Sequence, residues 1–241
     1  MSTNSYLQLG SVEALVVRKA VKNLHLSILP PNGTVRVTAP EGMRDDVIRT
    51  LLALRLPWIK KKQTEFSGQE RQVKRKYVSG ESHYFFGKRY RLEVVEKNDI
   101  PKVSLKGKTK IVLQIRPKSS VLKCEEIMAQ WYRKELFPIA ETMILKWEKK
   151  LEVRTSLWQI KRMKTRWGTC NHEAKRILIN LELAKKPLYC IEYVIVHELL
   201  HIKEKKHSEI FFNLLQKHLP KWKGLKEELN NFILSHEEWE R

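Results

Sequence analysis

Residues Tyr189–Leu200 form an almost wholly apolar run, broken only by Glu192, His197 and Glu198. Pro187 stands where the first residue of a helix would, so the run predicts a helix over Pro187–Lys203. A helix of this composition has no polar face to show to water and must be enclosed by the rest of the chain. It carries His197-Glu198-Leu199-Leu200-His201, an H-E-x-x-H pattern. Residues four apart on a helix differ by roughly 40° in direction, which puts His197 and His201 on one face, one turn apart. Two imidazoles and a carboxylate buried among apolar side chains cost several kcal/mol unless something compensates, and a divalent cation does. The structural alternative is a pair of core histidines satisfied by hydrogen bonds.

Two imidazoles so placed can bind one Zn²⁺ through ring nitrogens at ~2.0–2.1 Å. His207 follows His201 by six residues, the spacing of the metzincin third histidine, although Glu204 stands where that pattern has glycine. For His207 to join the metal, the helix must turn within the polar stretch Ile202–Lys206, and Ser208 can N-cap a new helix. An ordinary surface histidine beside lysines is the alternative for His207. Three protein ligands leave a fourth position for water, which zinc acidifies towards a pKa of ~7. Glu198 sits beside that water rather than on the metal, placed to take its proton and pass it to a leaving amine.

The rest of the chain reads as α+β, a β-rich basic N-terminal part over 1–117 and an α-rich part over 118–241. Leu24–Ile28 and Val35–Ala39 alternate with period two around the turn Pro30–Gly33, a hairpin that continues a strand at Leu15–Val17. Val47, Ile48, Leu51, Leu52 and Ile59 recur at helical spacing after Asp45-Asp46, with a kink or restart expected at Pro57. Phe66–Lys76 is a basic loop, and strands return at Tyr84–Phe86, Tyr90–Val95 and Lys110–Arg116. A long amphipathic helix opens at Ser119 or Ser120 and runs to about Leu151, interrupted at Pro138. Trp158–Arg162 and Arg176–Leu183 read as two strands around a turn at Cys170–Ala174, the second an edge along which an extended peptide could pair. Helices over Ser208–Leu219 and from Lys221 to about Trp239 close the chain, and no internal repeat is readable.

Charge is the other strong feature: 47 Lys and Arg against 27 Asp and Glu, a net +20. A field of this sign attracts polyanions in a salt-dependent way, so DNA or nucleoprotein is a candidate partner, with Lys60, Lys61, Lys62, Lys74, Arg75 and Lys76 as contacts. A solvated basic face is the bland alternative. No stretch approaches ~18 consecutive apolar residues, so no membrane span is expected. Cys124, Cys170 and Cys190 are odd in number and widely spaced, and the first residues do not read as a secretory signal. A cytoplasmic setting is the expectation; the oligomeric state is not legible.

Arg166-Trp167-Gly168-Thr169-Cys170, Ile177–Asn180, Tyr193–His201, His207-Ser208 with Phe211, and Pro220 together resemble the YgjP-like metallopeptidase family. That family is akin to the SprT and WLM minimal zincins, the latter associated with repair of DNA–protein crosslinks. The similarity extends more weakly over the N-terminal strands and Trp58–Lys61, and so covers nearly the whole chain. It implies a minimal zincin-like, gluzincin-type catalytic domain that hydrolyses peptides or proteins. His197, His201 and His207 would be its zinc ligands and Glu198 its catalytic acid and base. Thr169 and Lys206 depart from the family's usual Ser and Asn without touching the ligand set.

Several neighbours stay open at this point. Arg166–Cys170 reads as a strand end entering a turn, where Gly168 permits tight backbone approach. Cys170 is a rival third ligand, as in peptide deformylases, or a buried structural thiol. Arg166 could hold an oxyanion or a substrate carboxylate, or pair structurally with Glu192 or Glu173. Asn180 and Tyr193 are candidates for contacts with substrate or with the ligands. A metal-dependent RNA-processing endonuclease is a rival function, since bacterial rRNA-maturation endonucleases use three histidines at this spacing. Those enzymes lack the glutamate after the first histidine, so Glu198 favours peptide hydrolysis. A non-catalytic basic binding protein is the third reading, but structural zinc usually takes four ligands and favours cysteine.

Overall fold

The computed structural model describes residues 3–29, 33–67, 75–163 and 166–231, which form a mixed α+β protein. These residues fall into two compact units that divide after Gln72. The first holds strands β1 (Thr3–Leu9), β2 (Val12–Lys19), β3 (His25–Leu29) and β4 (Thr34–Pro40), then helix α1 (Asp45–Ser67). Its sheet runs β1-β2-β4-β3, with β2 and β4 parallel at the centre and each outer pair antiparallel. Alternate residues of the central strands, Ala14 and Val16, Val35 and Val37, are buried and meet Ile48, Leu52 and Ile59 of α1. Asp45 opens the helix and pairs with Arg18. The expected hairpin is β3–β4, and its turn residues 30–32 lie outside the described residues.

The second unit repeats that plan. Strands β5 (Ser82–Phe85), β6 (Lys88–Glu96), β7 (Lys102–Lys106) and β8 (Lys110–Ile115) form a sheet ordered β5-β6-β8-β7, followed by α2 (Val121–Leu151). The strand senses match those of the first sheet. The topology is therefore duplicated, where the sequence shows no readable repeat. Sheet positions demand only alternating apolar residues, so the plan can persist while the letters diverge. Ser120 caps α2 by accepting from the Lys123 N–H, and Met128, Leu136, Ala140, Ile144 and Trp147 form its buried stripe. Both α1 and α2 run through their prolines without a break. Buried residues on either side, Leu52 and Ile59 or Leu136 and Ala140, anchor each helix despite one missing donor.

Beyond α2 lie β9 (Leu157–Lys161), β10 (Gly168–Asn171) and β11 (Arg176–Asn180), a 3-10 turn (Leu181–Lys185), and helices α3 (Leu188–Lys203), α4 (Glu209–His218) and α5 (Trp222–Asn231). The third sheet is ordered β10-β11-β9, with β9 parallel and β10 antiparallel to β11. This corrects two expectations. The strand end expected to enter a turn at Cys170 continues as a strand through Asn171, and the expected edge strand β11 is central, with β10 and β9 at the two edges. The expected end of the last helix, at Trp239, lies outside the described residues.

The boundary between units also differs from the expected 117/118, because β5–β8 share one core with the helices. Leu92, Ile111 and Leu113 belong to the same cluster as Met128, Trp131 and Leu200. The β5–β6 turn seats on the start of α3: the Phe86 and Gly87 N–H groups donate to the carbonyls of Ala184 and Lys185. Gly87 has φ +79° and no room for a side chain, since a Cβ there would lie 2.7 Å from Pro187 Cγ. No helix among the described residues is long and apolar enough to cross a membrane.

Candidate metal centre

Helix α3 packs against α2, β10, β11, α4 and α5, which is the enclosure its apolar sequence requires. Ile191, Ile195, Val196, Leu199 and Leu200 have no exposed surface. The helix stops at Lys203, where Glu204 takes an extended conformation (φ −132°) and its N–H bonds the Leu200 carbonyl at 2.9 Å. The turn therefore needs no left-handed residue, which explains how Glu204 replaces the glycine of the metzincin pattern. Ser208 then caps α4 by accepting from the Phe211 N–H, and His207 is carried back over the first two histidines.

The three imidazoles converge. Ring centroids lie 4.9 Å apart for His197 and His201, 5.0 Å for His197 and His207, and 4.7 Å for His201 and His207. One candidate ligand atom from each lies within 4.8 Å of the other two. Phe211, fully buried, forms a floor whose ring is 4.7–5.0 Å from all three.

The donor chemistry fits a divalent cation. His201 Nδ1 stands 3.0 Å from the Glu204 carbonyl, so it carries the proton and leaves Nε2 as a lone pair. His197 Nε2 and His207 Nε2 face each other at 3.0 Å, an approach of two acceptors that only a shared proton or a cation makes favourable. His197 Nδ1 is buried and has no hydrogen-bond partner among the described residues, so none of them fixes its tautomer on that side. Burial, reinforced by His201, His207 and Lys226, holds the His197 pKa down at about 3, and burial also lowers that of His201. Both rings are therefore neutral at neutral pH, the form in which imidazole ligates.

Glu198 is buried beside this cluster and lies against β10. A Cβ on Gly168 would come within 2.7 Å of Glu198 Cγ and Oε1, so only glycine lets the strand pass. Burial pushes the Glu198 carboxyl up to about 8, with the Arg166 charge opposing the shift. The histidines, Glu198, Arg166 and all of β10 line one cleft of about 690 Å³.

The other expected residues divide. Tyr193 lies one turn before His197, its ring 5.9 Å away and its hydroxyl pushed up to about 12 by burial and the Glu198 charge. Asn180 does not face the cleft. It is fully buried, donates to the carbonyls of Met163 and Arg166, and accepts from the N–H groups of Met163 and Glu182. It ties the backbones of Met163 and Arg166 to the end of β11. Arg166 does not pair with Glu192 or Glu173, which bond Lys146, Trp147 and Lys205 instead. Cys170 lines the cleft but lies outside the three-histidine group; burial, then the Glu198 charge, pushes its thiol up to about 11.

Lys60, Lys61 and Lys76 are exposed, Lys62 is half-buried, and Lys74 lies outside the described residues. Arg75 is engaged within the fold, bonding Glu81 at 3.2 Å and the Ser82 carbonyl, which removes it as a free contact. His172, not singled out in the sequence, lines the cleft and bonds the His201 carbonyl through Nδ1 at 2.8 Å. No spacing rule marks it, because it reaches α3 from the β10–β11 turn.

Three converging imidazoles beside a buried carboxylate, opening on a cleft, define a metal-dependent hydrolase centre. The chain belongs to the YgjP-like metallopeptidase family, whose metallopeptidase-domain model matches residues 22–232, and is accordingly a hydrolase of peptide bonds. Among solved structures it is similar to two metallopeptidase zymogens. Abylysin of Pyrococcus abyssi is 18% identical over 37% of this chain and 90% of its own, with a TM-score of 0.35. Jannalysin of Methanocaldococcus jannaschii is 18% identical over 38% of this chain and 87% of its own, with a TM-score of 0.34. No curated protein matches the chain.

Proposed function

We propose that the chain is a zinc peptidase of the minimal zincin type, with His197, His201 and His207 as ligands, a third histidine where the expected gluzincin type has a glutamate, and Glu198 as general base and acid. The observation that carries this reading is the convergence of three ring nitrogens beside a carboxylate confined by Gly168. When bound, zinc would supply Lewis acidity, polarising the scissile carbonyl and making water a nucleophile at neutral pH. Glu198, in its desolvated position, takes a proton from the attacking water and returns it to the leaving nitrogen. Glu204 fixes His201 through its carbonyl, and Asn180 steadies the approach to Arg166. Arg166 stands at the cleft to hold a carboxylate or a developing oxyanion. The free edge of β10 runs along the cleft, so an extended peptide can add to it as a strand.

The substrates we infer are proteins associated with nucleic acid, a reading supported by the net charge of +20 and by the exposed Lys60, Lys61 and Lys76. Affinity for DNA that did not weaken with added salt would count against it. For the chemistry, the test is Glu198→Gln: it should retain about one zinc per chain and lose cleavage of casein by at least ~100-fold. A glutamine variant as active as the parent would refute the mechanism.

A further inference from the structure

A second hollow, of about 220 Å³, shares the His197–Glu198 edge with the cleft. Its walls are Trp167, Tyr193, Val194 and Leu229, all apolar or aromatic. The two exposed groups that complete it are Arg166 and Lys226, the latter brought by α5. Among the described residues neither forms an ion pair, and Glu198 is the sole carboxylate of the lining. The acidic neighbours of Lys226 on α5 do not neutralise this rim: Glu227 and Glu228 are not part of the lining, and Glu228 accepts from the Tyr189 hydroxyl at 2.7 Å.

Apolar walls beside the reacting carboxylate, crossed by two unpaired cations, suit a ligand that joins an apolar body to a carboxylate. The room is that of about one large side chain rather than of a folded segment. We propose that this hollow receives the substrate residue next to the scissile bond and selects an apolar side chain whose carboxylate, its own or its neighbour's, is held by Lys226 and Arg166. The proposal rests on the peptidase reading and names its substrate class. That carboxylate has two sources: the free C-terminus of a peptide that ends in the apolar residue, or an acidic side chain one residue further on.

The test uses the zinc-loaded full chain and three peptides of one sequence, ending in leucine acid, leucine amide, or leucine–glutamate amide. The acid, the glutamate peptide, or both should be cleaved at least ~10-fold faster in kcat/KM than leucine amide, and which of them gains identifies the source. Lys226→Glu, an exposed substitution, should abolish that preference, whereas Lys217→Glu on α4 should keep it. In parallel, N-acetyl-leucine and its amide are titrated into the zinc-loaded Glu198→Gln protein by calorimetry, with and without Lys226→Glu. Tighter binding of the acid that depends on Lys226 supports the hollow even where no peptide is cleaved, in which case the peptidase reading alone fails. Equal cleavage and equal binding of acid and amide overturn the proposal while leaving the peptidase reading intact. A preference that survives Lys226→Glu overturns it as well.

Discussion

Gly168→Ala probes the contact on which the chemistry turns. The new methyl would sit 2.7 Å from Glu198 Cγ and Oε1 and 2.9 Å from Val194 Cγ1. Comfortable carbon contacts begin near ~3.5 Å, so something must move by most of an ångström. Val194 is buried, and β10 is tied residue by residue to β11, which leaves the Glu198 side chain as the part that yields. A shift of about 1 Å at a reacting group lowers turnover by ~10²-fold, and overpacking of this kind costs about 1–3 kcal/mol of stability. None of the imidazoles is among the nearest atoms to the new methyl, so zinc content should be unchanged. The assay combines kcat on a fluorogenic peptide, zinc by mass spectrometry and a urea melt. Undiminished kcat with normal zinc would mean that the position of the carboxylate does not govern the reaction, and the argument would fail.

Asn180→Ala should destabilise the protein by about 3 kcal/mol in urea, because hydrogen bonds from the backbones of Met163, Arg166 and Glu182 all end on that one buried amide. Gly224→Ala is its counterpart on α5: a Cβ there meets nothing within 4 Å, so the change should stabilise by about 0.5–1 kcal/mol, read from the same melts.

Helical features were the most legible. The enclosure of α3 follows from its apolar run, and the Ser120 and Ser208 caps and the Asp45-Asp46 start fall where side-chain chemistry places them. The convergence of His207 could be argued from spacing, but the turn that achieves it could not, since Glu204 makes an ordinary extended corner without glycine. The extent of β10 was only partly legible: Arg166–Cys170 reads as a strand end, but Gly168–Asn171 has no alternation of apolar residues, because one side of β10 meets Glu198 and the cleft rather than a core. His172 and Asn180 owe their places to contacts across 29 and 14–17 residues of sequence, which no local pattern encodes. Phe211 was readable as a core position of α4, yet only the fold puts it beneath three imidazoles.

The duplicated sheet-and-helix plan has an asymmetry with consequences for tolerance. Every group that touches the reaction lies beyond the second copy but in the same unit, and the Gly87 corner of that copy abuts the proline that starts the reactive helix. A substitution on that second sheet can therefore disturb turnover at a distance. The first copy closes its own core on α1, with Val16, Val37 and Leu52 all fully buried, so its fold is set by packing within that unit.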